Sequence, residues 1–353
     1  MSQSINELRL AIDAVDKRLV ELLVERAAIV HKIGHLKSVA GEPVLDLDRE
    51  HHVLKRISEL NPGPYTDEHL HAIFREIMSA SRDLEGPVQV AYLGPPHTFS
   101  HQAALQHFGR SAELVPMGSF NEIFDYVDRS HGAAGVVPIE NTTSGTIGET
   151  LDLFTTHNAH IKAEINLPIS HNLLASSTSE TWTTIYSHPQ ALAQCRGWLD
   201  RIVPGIPTME VSSTAEAARR AGQEPETAAI GPLSAAEANN LEVVHQDIQD
   251  LASNQTRFYV LGDAPAPASG KDKVALMVAV SDRVGALHDV LGHLREKELN
   301  LSFIQSRPSR LKSGDYLFFL ELEGHPDEPA VTKAINTLVS ETVVVRILGA
   351  WAA

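Results

Sequence analysis

Apolar residues recur at steps of three and four along the amino-terminal part of the chain, which predicts one long helix over residues 5–39. The apolar positions are Ile5, Leu8, Ile12, Val15, Leu19, Leu22, Ile29, Ile33 and Leu36. Gly41 and Pro43 are expected to end this helix, and a second helix starts at Asp46 or Asp48. A third helix is predicted over residues 67–84. A helix of about 35 residues cannot bury its stripe within so small a segment, so we expect a partner helix from a second subunit.

From residue 88 the pattern changes to short apolar runs that alternate with helical segments. Strands are predicted at residues 88–93, 134–138, 161–169, 184–186, 228–230 and 258–261. Helices between them include residues 119–129 and 214–221. This alternation predicts an α/β domain over residues 88–263.

A short linker rich in proline and alanine, residues 264–270, separates this domain from the carboxy-terminal part. The segments after it follow the order βαββαβ, with predicted elements at residues 273–280, 284–297, 300–306, 316–323, 328–340 and 342–348. This order predicts a small ferredoxin-like α+β domain over residues 272–353. The helical domain occupies residues 1–86, so three domains are expected.

Polar clusters stand at the ends of three apolar runs in the central domain. They occupy residues 140–145, 187–190 and 254–257. Ligands bind at such strand ends in open α/β sheets, so we expect the three clusters to form one site. For the first cluster taken alone, a polar turn with Asn141 or Thr142 as a helix cap is the alternative.

Net charge narrows the choice of ligand. The 353 residues include 29 basic and 45 acidic side chains, for a net charge of −16. A protein this acidic is a poor binder of nucleic acid or anionic membranes, so a local cluster of cations indicates a specific anionic ligand. No apolar run is long enough to span a membrane, and residues 1–7 lack the features of a signal peptide, which predicts a cytoplasmic protein. The single cysteine, Cys195, excludes an internal disulfide.

The 18 histidines do not follow a metal-binding pattern. His31 and His35 are four residues apart on a predicted helix, and His97 and His101 flank a loop, without a third ligand at a known spacing. The glycine motifs at residues 145–148 and 269–272 lack the strand and hydroxyl context of nucleotide loops. We therefore expect neither a metal nor a nucleotide cofactor.

Two cations on the first predicted helix could bind a small dianion. Arg26 and Lys37 are eleven residues apart, which places them about 20° apart around the axis and roughly 16 Å apart along it. Arg9 lies roughly 25 Å further back along the same axis and cannot reach that gap from its own chain. An antiparallel partner helix could supply it. The alternative is that these are solvated cations on an amphipathic helix.

The helical segment resembles the all-helical chorismate mutases. The resemblance rests on Leu8-Arg9, Glu25-Arg26, Gly34 with Lys37, and Asp46-Leu47-Asp48-Arg49-Glu50. It implies a chorismate site lined by Arg26, Lys37, Asp46, Arg49, Glu50, Ser81 and Glu85, and completed by Arg9 of the partner subunit. In that family pattern the arginines pair with the substrate carboxylates, Lys37 reaches the ether oxygen, and Glu50 accepts from the substrate hydroxyl.

Position 85 carries Glu where many of these mutases have Gln. A carboxylate that faces an ether oxygen repels it, so Glu85 can help only when it is protonated. Mutase activity is therefore expected to fall with rising pH more steeply than in the Glu85→Gln variant.

The three polar clusters of the central domain resemble prephenate dehydratase. The resemblance rests on residues 139–145 (I-E-N-T-T-S-G), 187–190 (S-H-P-Q) and 256–258 (T-R-F). It implies two lobes like those of periplasmic binding proteins, with prephenate in the cleft between them. A further loop at residues 94–101 matches less well, because His97 replaces a glycine. If that glycine takes a positive φ, His97 strains the loop.

Dehydration expels the ring hydroxyl as carbon dioxide leaves, and water leaves readily only when a donor protonates it. By the family pattern Thr256 is that donor or orients it, and Arg257 binds a substrate carboxylate, although strand alternation points Arg257 away from Thr256. Glu140 is either a charged acceptor or the acid. The remaining contacts are expected from Thr98, Ser100, Asn141, Thr142, Ser144, Ser187, Gln190, Gln194 and Phe258.

The carboxy-terminal domain resembles the amino-acid-binding ACT domains. Two stretches carry the match, Gly285-Ala286-Leu287-His288 and Ser306-Arg307-Pro308, which correspond to the two effector-site motifs of that family. Gly285 would let the carboxylate of a ligand approach free backbone amides at a helix start. Gln305 replaces a common Glu of the family. A dimerising sheet without a ligand is the alternative.

Together the three resemblances imply a bifunctional enzyme of phenylalanine synthesis. It would rearrange chorismate to prephenate and convert prephenate to phenylpyruvate, without a cofactor and with phenylalanine as feedback inhibitor. The expected assembly is a homodimer or higher oligomer through the amino-terminal helices and the ACT domain. A cytoplasmic amino-acid sensor without turnover, and a dehydratase whose helical segment only dimerises, are the alternatives.

Overall fold

The computed structural model describes residues 4–42, 44–177, 182–308 and 316–353. Three helices form the amino-terminal domain, α1 (Ile5–Ala40), α2 (Leu47–Leu60) and α3 (Asp67–Glu85). Ser4 caps α1 in a capping box with Glu7, and Gly41 ends it with a φ of 71°. Asp46 caps α2 through the amide of Arg49, which decides between the two predicted starts. Pro43 and the side chain of Asp48 lie outside the described part of the chain.

The apolar stripe of α1 stays largely exposed on a single chain. Ile12 is 59% exposed and Leu19 is 51% exposed, whereas Val30, near the middle of the helix, is buried. The prediction of one long helix is confirmed by α1. No other described part of this chain packs over most of its apolar stripe. Such a surface is typical of a helix that packs against a second copy.

The central domain is built on two sheets. Strands β1 (Gln89–Leu93), β2 (Glu113–Met117), β3 (Ala134–Asn141), β4 (Gly145–Thr146), β5 (His160–Pro168) and β11 (Gln255–Gly262) form the first sheet, in the order β5-β11-β3-β1-β2 with β4 beside β3. Strands β6 (Asn172–Ala175), β7 (Thr184–Ser187), β8 (Thr208–Glu210), β9 (Thr227–Gly231) and β10 (Glu242–His245) form the second, in the order β10-β6-β9-β7-β8. The chain passes between the two sheets at residues 169–171 and again at 246–254.

Seven helices cover these sheets in the described residues. They are α4 (Phe99–Phe108), α5 (Phe120–Arg129), α6 (Gly148–Leu153), α7 (Pro189–Gln194), α8 (Arg196–Ile202), α9 (Thr214–Gln223) and α10 (Leu233–Ala238). All six predicted strands are present. Strands β2, β4, β6, β8 and β10 were not predicted. Of these, β4 has two residues and β8 has three exposed ones, so neither carries an apolar alternation.

The carboxy-terminal domain follows the predicted βαββαβ order. Its elements are β12 (Asp272–Val280), α11 (Ala286–Glu296), β13 (Leu301–Pro308), β14 (Tyr316–Glu323), α12 (Pro329–Glu341) and β15 (Val344–Ala352). The strand order is β13-β14-β12-β15, and β15 joins β5 of the central domain where Gly349 pairs with Ile161. A Cβ at Gly349 would lie 2.2 Å from the carbonyl oxygen of Ile161, so only glycine allows this junction.

Among the described residues, no helix combines the length and apolarity needed to cross a membrane. In the same residues, His, Cys, Asp and Glu side chains form no group of three or more that could hold a metal ion.

Candidate active sites

A cavity of about 450 Å³ lies between α1, α2 and α3. Its polar wall consists of Arg26, Lys37, Asp46, Arg49, Glu50, Ser81, Arg82 and Glu85. Ile29, Val30, Ile33 and Val53 supply apolar wall between these side chains. The structure therefore brings together every residue predicted for the chorismate site except Arg9, which is 17 residues before Arg26 on the same helix.

Hydrogen bonds within the chain hold the cations of this helical cavity. The Arg26 guanidinium donates to the hydroxyl of Ser81. Lys37 Nζ donates to the carbonyl of Val44 at 3.0 Å and lies 3.5 Å from Glu85 Oε2. Burial lowers the pKa of Arg26, and the nearby Arg49 charge lowers it further. The cavity thus concentrates positive charge that lacks full compensation, which favours an anionic ligand.

Gly34 allows α3 to approach α1 beside this cavity. A Cβ at position 34 would lie 2.8 Å from Cγ of Glu85 and 3.2 Å from its Cα. Any larger residue would push away the backbone that presents Glu85. The glycine noted in the sequence therefore sets the distance between two walls of the cavity.

Arg82 is a wall residue that sequence reasoning missed. Its guanidinium pairs with Glu50, and its side chain is only 8% exposed. Burial raises the pKa of Glu50, and the positive charge of Arg82 opposes that rise. The available signal was spacing, because Arg82 lies three residues before Glu85 and one after Ser81 on α3.

A second cavity, of about 350 Å³, lies between the two sheets of the central domain. Predicted residues in its wall are Thr98, Ser100, Asn141, Gln190, Gln194, Thr256 and Phe258. His188, which belongs to the predicted cluster at residues 187–190, also lines the cleft, and further wall residues that were not predicted include His171, Ser212, Ser213 and Thr214. The first segment that passes between the sheets, at residues 169–171, and the amino ends of α4, α7 and α9 meet at this dehydratase-like cleft.

Asn141 is the centre of the hydrogen bonds in the cleft. Its Nδ2 donates to Thr256 Oγ1 at 2.9 Å and to Asn254 Oδ1 at 2.9 Å. Its Oδ1 accepts from Gln194 Nε2 at 3.1 Å and from Thr143 Oγ1 at 2.7 Å. Because Gln194 belongs to the second sheet's side of the cleft, these bonds join the two halves of the site and fix the Thr256 hydroxyl.

Two further residues complete this arrangement. Gln190 Nε2 donates to Ser144 Oγ at 2.7 Å, which places Ser144 at the rim of the cleft. His171 is buried, with its Nε2 2.7 Å from Gln194 Oε1. Burial lowers the pKa of His171, so the neutral imidazole is favoured. Its only sequence signal was its position just after a strand-like run.

Five residues predicted for substrate or catalysis lie outside the cleft wall, and one of them is Ser144 at its rim. Along β11, Thr256 and Phe258 face the cleft, so strand alternation turns Arg257 to the opposite face. Its register partner on β3, Glu140, lies 3.3 Å from the Arg257 guanidinium. Ser187 is fully buried and donates to the carbonyl of Ile230. The Thr142 hydroxyl bonds the backbone of residues 253 and 255 and holds the loop.

Arg257 instead contacts the carboxy-terminal domain. Its Nη1 donates to Glu321 Oε1 at 2.7 Å, and its guanidinium lies 5.0 Å from the centre of the Phe303 ring. Tyr259 donates to the same Glu321 carboxylate. Burial alone would lower the pKa of Arg257, but Tyr259 and Glu321 raise it above its ordinary value. The expectation that Arg257 meets a substrate carboxylate is therefore corrected, because its charge is compensated at the domain interface.

The loop before α4 holds His97 in the positive-φ conformation that was expected to strain it. This residue has a φ of 67°, in the region that glycine adopts most easily. Its ring lies 5.4 Å from that of His101, between ring centres. The substitution of a glycine thus leaves a strained residue at the edge of the cleft.

The predicted effector residues lie on two surfaces of the carboxy-terminal domain. Gly285 has a φ of 82° and starts α11, and Ala286 behind it is buried. Leu287 and His288 line an open cavity together with Leu291, Gly292 and Arg295. On β13, Ser306 and Pro308 flank Arg307, whose Nε donates to Asp152 of the central domain at 2.8 Å. The structure thus gives Arg307 a partner within the chain, which the sequence did not suggest.

Comparisons with known proteins match three parts of the chain to three protein families. Family models match the chain as chorismate mutase type II at residues 8–86, prephenate dehydratase at residues 90–266 and ACT domain at residues 274–340. The crystal structure of prephenate dehydratase from Arthrobacter aurescens in complex with L-Phe has a TM-score of 0.70 at 33% identity, and it covers 75% of this chain and 90% of that chain.

Two curated relatives match over nearly the full length. The bifunctional chorismate mutase/prephenate dehydratase of Pseudomonas aeruginosa is 40% identical over 98% of this chain and 96% of its own length. The protein of the same description from Aquifex aeolicus is 39% identical over 99% of this chain and 98% of its own length. The chain therefore belongs to the family of bifunctional chorismate mutase/prephenate dehydratases, which combine an isomerase and a lyase in one polypeptide.

Proposed function

We propose that this chain rearranges chorismate in the helical cavity and dehydrates the resulting prephenate in the cleft of the central domain. The observation that carries the proposal is that seven of the eight residues expected for the first site line one cavity, while Thr256 and Asn141 bond each other in the second. Each cavity is large enough for a ring of chorismate size with two carboxylates.

In the helical cavity the reaction is an internal rearrangement, so the protein supplies orientation and charge. Arg26 and Arg9 of the partner subunit bind the carboxylates, which holds the substrate in its compact conformer, and Arg49 and Asp46 line the pocket. Lys37 donates toward the ether oxygen, where negative charge develops as the carbon–oxygen bond of the ether breaks. Glu50 accepts from the substrate hydroxyl. These roles follow the family pattern and agree with the positions of the side chains in the cavity wall.

A second copy of the chain completes this cavity. Arg9 lies roughly 25 Å from Arg26 along α1, and the apolar stripe beside it is exposed. An antiparallel α1 from a partner would cover the stripe and bring Arg9 of the partner subunit to the open side of the cavity. We therefore propose a homodimer through α1, with further contacts through the carboxy-terminal domain.

In the cleft, Thr256 donates to the departing hydroxyl or orients its proton donor. Asn141 holds the Thr256 oxygen by its amide, so the hydroxyl proton of Thr256 is directed elsewhere in the cleft. Loss of carbon dioxide supplies the electrons that complete the aromatic ring, and the hydroxyl leaves as water once it is protonated. His171 stays neutral through burial and supports Gln194 rather than binding the substrate charge.

Phenylalanine is the proposed effector of the carboxy-terminal domain. Gly285 gives the start of α11 a conformation that leaves backbone amides accessible, and Leu287 and His288 line the open cavity beside it. A solved relative, the Arthrobacter aurescens dehydratase, is described in complex with L-Phe. Effector binding would act on the cleft through the contacts of Arg257 and Arg307 with the central domain.

The finer assignments of fold and location belong to the same proposal. The two sheets with a cleft between them support a periplasmic-binding-like arrangement, and the strand order β13-β14-β12-β15 supports a ferredoxin-like domain. Domain boundaries at residues 1–86, 88–263 and 272–353 are supported by the end of α3 and the linker at residues 264–270. We place the enzyme in the cytoplasm, where its proposed substrates are metabolites.

One assay tests the proposed function. Purified protein is mixed with chorismate, and prephenate and phenylpyruvate are followed with time, with and without phenylalanine. We expect prephenate to appear first, phenylpyruvate to follow, and phenylalanine to slow only the second step. Lack of prephenate formation would reject the mutase assignment, and binding of phenylalanine without a change in dehydration would reject the regulatory one.

A further inference from the structure

One face of α3 contacts the end of α4 and the residues just after it, at positions 108–111 of the central domain. The amide of Arg110 donates to Glu76 Oε2 at 3.4 Å, and the amide of Ser111 donates to Ser79 Oγ at 3.1 Å. The Arg82 guanidinium donates to the carbonyl of Phe108. Glu76, Ser79 and Arg82 recur every three residues, so one helix face makes all three contacts. We call this set of contacts the α3–α4 junction.

Gly109 sets the tightness of this junction. Its φ is 75°, and a Cβ at this position would lie 2.5 Å from Cβ of Ser79. Even alanine would therefore have to separate α3 from the segment after α4. The close approach fixes where the carbonyl of Phe108 stands relative to Arg82.

Arg82 uses its other terminal nitrogen inside the helical cavity. Nη1 pairs with Glu50 while Nη2 donates to Phe108, so one planar guanidinium connects the two domains. The Arg82 and Glu50 side chains are 8% and 18% exposed, which leaves little water to compete for these bonds. Because the planar guanidinium is bound at both terminal nitrogens, it holds the Glu50 carboxylate in one orientation.

We propose that Arg82 is a positioning residue of the mutase site, which holds Glu50 toward the substrate hydroxyl and is itself held by the central domain through the α3–α4 junction. Mutase turnover in this chain thus depends on a contact made by the dehydratase part. The inference rests on the proposed function of the helical cavity. Arg82 is not among the motif residues on which the resemblance to chorismate mutases rests.

Several charges act on Glu50, and they set the expected pH dependence. Burial raises its pKa most, Arg82 on α3 and Lys37 on α1 lower it, and Asp46 raises it. The other charged groups in the cavity wall are Arg26, Arg49 and Glu85. Removal of Arg82 removes the main opposing charge, so Glu50 becomes protonated at a higher pH. The acid limb of the mutase pH profile must then move to higher pH.

The first test replaces Arg82 in the full chain. For Arg82→Met we expect the mutase kcat to fall about tenfold with the acid limb moved to higher pH, and Arg82→Lys to recover part of both. Exposed Arg56 on α2 gives the matched control, Arg56→Met, with unchanged kinetics. Dehydration of added prephenate should stay within about twofold in all three variants, which shows that the central domain is folded.

A double-mutant cycle separates positioning from general damage. If Arg82 acts through Glu50, then Arg82→Met lowers mutase activity by less than about twofold in a Glu50→Gln background. Equal losses in both backgrounds would overturn the positioning role. Unchanged kcat and pH profile in Arg82→Met would overturn it as well.

The second test leaves the helical domain unchanged in sequence. Gly109→Ala should lower mutase kcat about fivefold, because it displaces Phe108 from Arg82. Gly205→Ala is the matched control, since Gly205 has a φ of 81° with open space around its Cβ position. Equal mutase activity in the two glycine variants would reject the dependence on the junction. Absence of mutase turnover in the unsubstituted chain would instead reject the proposed function on which the inference rests.

Discussion

The two cavities of this chain are suited to doubly charged ring acids by different physical means. Among the described residues, the helical cavity presents four cations, Arg26, Lys37, Arg49 and Arg82, whereas the wall of the cleft contains no Lys, Arg, Asp or Glu. In the cleft, hydroxyls, amides and the capped amino ends of α4 and α9 take the place of cations. The first site thus relies on formal charge and the second on oriented hydrogen-bond donors.

This difference has a consequence for assembly. Long cationic side chains on one helix can be shared between two chains, so the mutase site can be left open for Arg9 of the partner subunit. A network of short polar side chains must be closed within one chain, because Asn141, Gln194 and Thr256 act only at bonding distance. We infer that the mutase requires a second copy and that the dehydratase chemistry does not.

The largest expected effect concerns the uncharged cleft of the central domain. Thr256→Ala should lower dehydration of prephenate about a thousandfold, since it removes the hydroxyl that Asn141 orients. Thr256→Ser keeps that hydroxyl and is the matched control, with most activity retained. The mutase rate should be unchanged in both variants. Near-normal phenylpyruvate formation by Thr256→Ala would remove Thr256 from the chemistry.

The next largest effect concerns the helical cavity, which we propose to be completed by Arg9 of the partner subunit. Arg9→Ala and Arg26→Ala should each lower mutase activity about a hundredfold, because each removes a partner of a substrate carboxylate. When the two variants are mixed and allowed to exchange subunits, a mixed dimer has one site with both arginines intact. About half of the dimers are mixed, so about one quarter of the original activity should return.

Dehydratase activity should be insensitive to this mixing. Failure of the mixture to regain mutase activity, despite demonstrated subunit exchange, would place Arg9 outside the site. Recovery of more than half of the original mutase activity would contradict a dimer in which each site combines Arg26 of one chain with Arg9 of the other.

Loss of a carboxylate at the domain interface should have a smaller effect, on regulation. Glu321 is buried and, with Phe303, holds Arg257, the residue next to Thr256. Glu321→Gln should raise the phenylalanine concentration for half-inhibition about tenfold, because the link between the two domains is weakened. The exposed Glu323 on the same strand gives the control Glu323→Gln, with unchanged inhibition. Equal inhibition in the Glu321 and Glu323 variants would show that coupling follows another route.

Much of the helical site could be predicted from sequence because helical periodicity fixes which residues share a face. Spacing along α1 placed Arg26 and Lys37 on one wall, and the family motif supplied the facing residues of α2. Arg82 was missed because its role depends on Phe108, a residue of another domain whose approach no local pattern encodes. Periodicity describes one element and cannot report a contact between two domains.

The cleft was predicted less completely for a related reason. Strand alternation correctly separated Thr256 from Arg257, and following that rule would have removed Arg257 from the substrate contacts. His171 and Ser213 reach the cleft only because the chain passes between two sheets and because α9 begins there. Their neighbours in space are distant in sequence, so their meeting depends on the packing of the two lobes.

A comparison of Glu85 with Gln sharpens the account of charge in the helical cavity. Glu85 Oε2 lies 3.5 Å from Lys37 Nζ, and a charged carboxylate there opposes the ether oxygen that Lys37 should reach. At one fixed pH we expect mutase activity to be about threefold higher in Glu85→Gln than in the unsubstituted chain, because a neutral amide can donate to that oxygen. Dehydration of prephenate by the two proteins should be equal. Identical mutase activities would remove Glu85 from the reaction.

The smallest expected effect concerns strain at the edge of the cleft. His97 has a φ of 67°, and left-handed backbone costs a residue with a side chain about 1–2 kcal/mol. Glycine avoids this cost but loses about 0.5–1 kcal/mol through the greater freedom of its unfolded chain. The ring contact with His101 is also lost. His97→Gly should therefore stabilise the protein by only about half a kcal/mol, measured by urea unfolding. His97→Ala retains the positive φ without the ring and should be less stable than either. A Gly variant less stable than the Ala variant would show that the positive φ carries no net strain, and a Gly variant less stable than the unsubstituted protein would show that the imidazole contact outweighs the strain.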